Sequence, residues 1–135
     1  AESGGKGASP GNGYKGMWGP GGNWLVYRKL AQMVNPGPAM TYVLLDERED
    51  SINDGFYVVE MDGYPDLATT KIVDYPASYH SKAAGFSFAD GHSEIHKWRD
   101  GRTTPRISAQ DIPLNQSTPN NLDVFWMQTR CTRQR

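Results

Sequence analysis

All three histidines of the chain lie in residues 79–98, around the dipeptide Asp90-Gly91. This dipeptide tolerates the positive φ angles of a two-residue type I′ turn, so the flanking segments are predicted to form a β-hairpin. In that register Ala89 pairs with His92, and cross-strand partners share a face. One face then offers three apolar side chains to a core: Phe86, Phe88 and Ile95. The other face carries the side chains that could take part in catalysis or binding: Ser87, His92, Glu94, His96 and Trp98.

The histidine face could hold a transition metal. His92, Glu94 and His96 alternate along one strand, and two imidazoles with one carboxylate form a set that binds Zn, Fe or Cu. His80, just upstream, is a further candidate ligand.

The same hairpin contains a sequence that is close to an esterase motif. Residues 85–89 read G-x-S-x-A around Ser87, one residue away from the G-x-S-x-G elbow of serine esterases. His92 or His96 could act as the base, with Asp74 or Asp90 as the third member of a triad. The elbow requires a strand-to-helix turn, however, and Ser87 is predicted to lie within a strand. A small metal-dependent or esterase-like hydrolase is therefore the alternative function, with these candidate residues: Ser87, His80, His92 and His96.

An acidic stretch follows the most apolar segment of the chain. It contains Asp46, Glu47, Asp50 and Asp54, and Ca²⁺ binds six to eight oxygen ligands in flexible loops of this kind. The spacing differs from that of an EF-hand loop. The sequence leaves two interpretations open: a calcium site formed by these four carboxylates, or a solvated acidic loop.

The elements that would position these residues are short. Residues 40–45, with their β-branched and apolar side chains, are predicted to form a central strand buried on both faces. Residues 56–61 follow as a neighbouring strand, and residues 71–75 as an edge strand before Pro76. Residues 120–131 are predicted to form a helix capped by Thr118 or Asn120. A stripe at helical spacing would pack on the sheet: Leu122, Phe125, Trp126 and Thr129. The predicted fold class is α+β: a small antiparallel sheet of four to five strands, long loops and a C-terminal helix.

Composition limits the class of protein. A chain of 135 residues with 15 glycines and 9 prolines is typical of one domain of short strands and many turns, so residues 1–135 are predicted to form a single globular domain with a Gly-rich segment at 1–23. The net charge of −1 gives no electrostatic reason to expect nucleic acid. No apolar run approaches the length of a membrane span. Cys131 is the single cysteine, which excludes an intramolecular disulfide. Aromatic side chains such as Trp98 leave glycan binding as a third possibility.

The hairpin also resembles a known family. His80 is followed by nine residues and then Asp90-Gly91, with Phe86-Ser87-Phe88-Ala89 between them. This pattern is similar to that of the prepilin-type processing-associated H-X9-DG domain, a family of pilin-like and pseudopilin-like proteins. Residues 27–30, 41–47, 50–55 and 74–80 also read like members of this group, so the resemblance extends over about residues 14–102.

The resemblance implies a type IV pilin-like domain in which a sheet packs against a long apolar N-terminal helix. This chain shows no such helix and no prepilin leader, so we expect it to be the C-terminal globular part of such a protein. The resemblance further implies an extracellular, cell-surface or periplasmic location. The expected partners are other pilin-like subunits or type II secretion components. A calcium ion held near the sheet of related pseudopilins strengthens the calcium interpretation. His80, Asp90 and Gly91 are the signature positions, for which we expect a structural role: Asp90 would accept hydrogen bonds from turn amides, and His80 would fix the loop before the hairpin.

Overall fold

The computed structural model describes residues 2–4 and 24–134. Apart from Glu2–Gly4, the Gly-rich segment 1–23 therefore lies outside the described residues. The strands of the described chain are β1 (Glu2–Gly4), β2 (Tyr42–Leu45), β3 (Val58–Glu60), β4 (Lys71–Ile72), β5 (Ala83–Phe88), β6 (Ser93–Lys97) and β7 (Gln116–Ser117). One α-helix, α1 (Leu122–Gln128), follows them, and single turns of 3-10 helix occupy Leu30–Gln32, Pro38–Met40 and Leu67–Thr69.

The strands form two sheets. One is antiparallel with the order β2-β5-β6, and in the other β3, β4 and β7 are antiparallel while β1 lies parallel to β3. The α+β class with antiparallel sheets and a C-terminal helix is thus confirmed, but the prediction of a single sheet is wrong. The loop after β2 separates the two sheets: the amide of Ala77 donates to the carbonyl oxygen of Asp46, so this segment runs beside 76–77 and not toward β3.

The positions of two strands also differ from the prediction. Strand β2 lies at an edge, with Val43 38% and Leu44 69% exposed, because an apolar run by itself does not distinguish a central strand from an edge strand. Strand β4 was predicted at an edge but lies between β3 and β7. The central strand of the first sheet is β5, whose alternate residues Ala84, Phe86 and Phe88 are buried.

The hairpin of β5 and β6 has a register one residue away from the predicted one. Phe86 pairs with Glu94 and Gly85 with Ile95, because the loop has three residues, 89–91, and not two. The amide of Gly91 donates to the carbonyl oxygen of Phe88, and Gly91 has φ +95°, the geometry of a turn closed by a glycine bulge. A shift of one residue moves side chains to the opposite face. The predicted core position of Ile95 is therefore wrong, and its side chain is 73% exposed.

Helix α1 is shorter than the predicted helix 120–131, and it turns a different side toward the core. Asn121 is its N-cap, with Oδ1 accepting from the amides of Asp123 and Val124, the bonds expected of an asparagine cap. The residues that the helix buries do not form the predicted stripe: Asp123, Val124, Met127 and Gln128. Leu122 is 56% exposed, so the predicted stripe is wrong there, although Phe125 and Trp126 are half-buried and contact aromatic rings.

The core lies between the two sheets and α1. Phe86 from the first sheet, Val59 and Ile72 from the second, and Val124 and Met127 from the helix all belong to one buried cluster. The side-chain amide of Gln128 donates to the carbonyl oxygen of Glu60, which links the helix to β3. None of the helices in the described chain has the length and apolar character needed to cross a bilayer.

Candidate functional site

The inner face of the β5–β6 hairpin holds His92, Glu94, His96 and Trp98, as the sequence predicted, but together with Phe86 and Phe88. His92 lies at the tip, where its ring stacks on Phe88 at 4.3 Å between centroids. Its Nδ1 is 2.5 Å from Asp90 Oδ1 and its Nε2 is 3.4 Å from Glu94 Oε1. The hydrogen bond with Asp90 raises the pKa of His92. Both ring nitrogens therefore face carboxylates, and the side chain is oriented by the turn.

His96 is part of an aromatic cluster. Its ring stacks on Trp126 at 3.7 Å, and it makes edge contacts with Phe86 and Trp98. Burial lowers the pKa of His96, so the neutral imidazole is favoured at neutral pH. The guanidinium of Arg130 also lies over the Trp126 ring, with Cζ 4.3 Å from its centroid. His96 thus joins α1 to the hairpin through ring contacts.

Trp98 is buried at 4% exposure, and its Nε1 donates to the carbonyl oxygen of Ala77. The sequence interpretation of Trp98 as an exposed glycan-binding aromatic is therefore wrong. An alternating pattern does not reveal this, because the residue follows an edge strand and its burial depends on the 76–77 segment folding over it.

His80 is exposed and lies in the loop before the hairpin, whereas His96 lies on β6 and His92 lies just before it. Backbone bonds hold this loop: the Lys82 amide donates to the carbonyl oxygen of Ser78, and the Trp98 amide donates to that of Lys82. Ser81 and Lys82 both have positive φ angles. The expected role of Asp90 is confirmed, since its Oδ1 accepts from the His92 amide. The backbone bonds described above hold this loop. A hydrogen bond from the His80 side chain stays a prediction.

Ser87 lies on the opposite face of the hairpin from His92 and His96. It pairs with Ser93, and both point to the outer face, whereas the histidines share the inner face with Phe86. The predicted placement of Ser87 beside His92 is wrong, because the three-residue loop shifts the register. The structure does not bring together the serine and the histidines of the hydrolase alternative.

The four carboxylates of the calcium interpretation have separate partners. Asp46 Oδ2 accepts from the Gly85 amide, Glu47 Oε1 from the Ser51 hydroxyl, and Asp54 Oδ1 from the Phe56 amide. Asp50 is buried and pairs with Arg48. Within residues 24–134 no three side chains of His, Cys, Asp or Glu form a group that could hold a metal ion. The donor sets drawn from the sequence, 46–54 and 92–96, are therefore not gathered into such a group in the described chain, and metal binding stays a prediction.

Sequence reasoning missed a buried ion pair in the acidic loop. Arg48 is 0% exposed, and its Nε and Nη2 bind the two carboxylate oxygens of Asp50 at 2.5 and 2.7 Å. Arg48 also donates to the carbonyl oxygens of Pro105 and Arg106, and the Ser108 amide donates to Asp50 Oδ2. The pair therefore joins the 46–54 loop to residues 105–108. The only sequence signal is one arginine two residues before an aspartate in an acidic stretch.

A second missed feature is a pair of carboxyl groups with raised pKa values. Burial raises the pKa of Glu47 to about 7, and the charge of Asp74 adds to this effect. Burial also raises the pKa of Asp74 to about 6, although its Oδ2 accepts from the Val58 amide. These residues are 27 positions apart in the chain, and the Glu47–Pro76 bridge, together with the hydrogen bond from the Tyr75 amide to Ser51 Oγ, brings their segments together.

The outer face of the first sheet is open and of mixed polarity. A groove of about 530 Å³ runs across it, and its lining includes Leu44 on β2, Asp46 just after β2, Gly85 and Ser87 on β5, and Ser93 and Ile95 on β6. Leu44 and Ile95 are both more than two-thirds exposed. The Asp46 carboxylate lies over Gly85, whose amide donates to Asp46 Oδ2. We refer to these six residues as the outer sheet face.

No protein-family model matches this chain, and no curated protein or solved structure matches it either.

Proposed function

We propose that this chain is a structural or interaction module, the globular domain of a pilin-like or pseudopilin-like surface or secretion-system protein. The H-X9-DG pattern supports the family, and the outer sheet face supports a role in assembly. The proposed location is extracellular, at the cell surface or in the periplasm.

The outer sheet face is the observation that carries this proposal. Large apolar side chains that share one face are costly to expose, and such patches often mark a surface that binds a partner. Leu44 and Ile95 share this face with the small residues Ser87 and Ser93, and the Asp46 carboxylate covers Gly85. We propose that a helix of the same polypeptide or of a neighbouring subunit packs its apolar side chains against Leu44 and Ile95.

The roles of the hairpin residues agree with a structural module. His92 and Asp90 stabilise the turn, and His96 joins the helix to the sheet. These contacts account for the charged and aromatic residues of the inner face through packing and turn geometry.

Site-directed crosslinking in cells of the natural source tests the proposal. Leu44→Cys places a thiol on the outer sheet face, whereas the native Cys131 is buried. We expect a bismaleimide to join position 44 to an apolar helix, with the product in the cell-envelope fraction and its partner identified by mass spectrometry.

Leu122→Cys is the matched control, because Leu122 is exposed on α1, away from the outer sheet face. It should give no crosslink to that helix. The proposal fails if position 44 crosslinks no more than position 122, or if the native protein is found only in the cytoplasm.

A further inference from the structure

Strand β6 lies at the open edge of the first sheet. The strand order is β2-β5-β6, and within the described residues no other strand pairs with the outer side of β6. The edge of a sheet presents unpaired N–H and C=O groups, which can pair with a strand from another chain.

The hairpin geometry identifies which backbone groups point outward. The amide of Phe88 donates to the carbonyl oxygen of His92, and the amide of Trp98 donates to that of Lys82. In an antiparallel pair hydrogen-bonded positions alternate, so His92, Glu94 and His96 direct their backbone groups toward β5. Ser93, Ile95 and Lys97 direct theirs toward the open edge.

Little in β6 itself blocks pairing. The strand has five residues, contains no proline, and carries Ile95 at 73% exposure. Natural sheets usually protect an edge with proline, with a bulge or with several charges. Here the charged side chains are Glu94 and Lys97, of opposite sign and on opposite faces.

The charges of β6 distinguish among the registers open to two copies of the strand. Outward-pointing residues must pair with each other, so Ile95 can lie opposite Ser93, Lys97 or Ile95 of the second copy. The first register sets Glu94 opposite Glu94, and like charges that face each other are destabilising. The second sets His96 opposite His96, and the buried Trp98 opposite Glu94. The third sets Glu94 opposite His96, Ser93 opposite Lys97 and Ile95 opposite Ile95.

We propose that β6 pairs antiparallel with β6 of a second copy of this chain, about a two-fold axis at Ile95. The same edge serves both copies, as in other two-fold dimers. Two three-stranded sheets then become one six-stranded sheet. On its outer face the two Ile95 side chains meet at the centre, and on its inner face each Glu94 lies beside an imidazole.

This inference is independent of the proposed function, because it depends on the edge of β6 and not on the partner of the outer sheet face. The purified chain alone is sufficient to test it. Sedimentation over a concentration series should show a monomer–dimer equilibrium in the micromolar to millimolar range.

Two variants test the pairing. Ile95→Pro removes an amide that points outward and leaves the β5–β6 bonds in place, since proline is accepted at edge positions whose N–H faces solvent. It should abolish the dimer. Glu94→Lys removes the carboxylate that can accept a hydrogen bond from the His96 imidazole at two symmetric positions, and should weaken dimerisation about tenfold. Circular dichroism checks that each variant is folded.

Oxidation of Ile95→Cys tests the register. Residues paired in an antiparallel ladder are close enough for a disulfide, so this variant should form a covalent dimer rapidly. Val34→Cys is the control, because Val34 is 81% exposed and lies off the sheet. The proposal is overturned if the chain stays monomeric into the millimolar range, if folded Ile95→Pro still dimerises, or if position 95 oxidises no faster than position 34.

Discussion

The surroundings of two carboxyl groups in the 46–54 loop shift their pKa values in opposite directions. Glu47 is half-buried beside Asp74, and burial raises its pKa to about 7. Asp50, three residues later, is paired with Arg48, and hydrogen bonding to the guanidinium lowers its pKa. The same side-chain chemistry therefore has different effects on stability at the two positions, because Glu47 is desolvated beside another acid whereas Asp50 is hydrogen-bonded to a cation.

The raised pKa of Glu47 predicts a pH dependence of stability. The folded state binds the proton more tightly than the unfolded state, where the pKa is near 4.5. The free energy of unfolding should therefore fall as the pH rises from about 4.5 through about 7. Glu47→Gln, which mimics the protonated form, should flatten this slope, leaving the smaller contribution of Asp74. Urea unfolding between pH 4.5 and 8 measures how the free energy of unfolding depends on pH. An unchanged slope in the variant would contradict the raised pKa of Glu47.

The Arg48–Asp50 pair predicts a large loss of stability on truncation. Arg48→Met leaves Asp50 as a buried charge without its cation, which should lower the free energy of unfolding by about 3–5 kcal/mol. Arg102→Met is the control: Arg102 pairs with Asp100 at the surface, where solvent screens the pair, so its loss should cost much less than the loss of Arg48. Urea unfolding at pH 7 compares them. Equal losses would show that the burial of Arg48 has no energetic consequence.

Among the elements, the hairpin and helix α1 determine which side chains lie on the inner face and what those side chains contact. The glycine bulge at Gly91 sets the β5–β6 register, which directs His92, Glu94 and His96 toward the core side of the sheet. Helix α1 then supplies Trp126, which stacks on His96. The helix itself is only seven residues long, too short to be stable alone in water, so its orientation depends on packing and on the Asn121 cap.

The orientation of α1 can be tested by two truncations on the same helix. Met127 is 2% exposed and Leu122 is 56% exposed. Met127→Ala should lower the free energy of unfolding by about 2–5 kcal/mol, because it removes buried methylene groups and leaves a cavity. Leu122→Ala should change it by less than about 1 kcal/mol. Chemical denaturation of both variants measures the difference, and a larger effect at Leu122 would restore the stripe predicted from the sequence.

At the scale of the whole molecule, the segment after α1 closes the described fold. The amide of Tyr42 donates to the carbonyl oxygen of Arg130, and the amide of Leu25 donates to that of Arg133. The buried Thr132 hydroxyl donates to the carbonyl oxygen of Leu25 at 2.6 Å. These bonds join positions more than 80 residues apart, so the 130–134 segment links Leu25 to the first sheet.

Thr132→Val tests this closure. The substitution keeps the shape and removes the hydroxyl, so the Leu25 carbonyl loses its partner and the free energy of unfolding should fall by about 1–2 kcal/mol. Thr104→Val is the control at a half-buried threonine in a turn, where a change below about 0.5 kcal/mol is expected. Thermal unfolding of the pair provides the comparison. If both variants match the parent protein, the contact between 132 and 25 does not contribute to stability.

The sequence by itself determined those features that depend on local chemistry. Strand content in 40–45, 56–61, 71–75 and the hairpin followed from alternation and turn residues. A C-terminal helix was also predicted, although its N-cap is Asn121 and not Thr118 or Asn120, and its buried side differs from the predicted stripe. The turn role of Asp90 also followed, because an aspartate side chain reaches amides two residues away. None of these requires knowledge of distant segments.

The tertiary structure alone decided the register, the sheet partners and the state of each charged residue. A loop of three residues in place of two moved Ser87 and Ile95 to the outer face, and both loop lengths suit the same Asp-Gly dipeptide. The pairing of β2 with β5, the burial of Arg48 and Trp98, and the proximity of Glu47 to Asp74 all join segments far apart in the chain. Local propensity carries no information on such contacts, because their free energy comes from burial and pairing that exist only after the chain has folded.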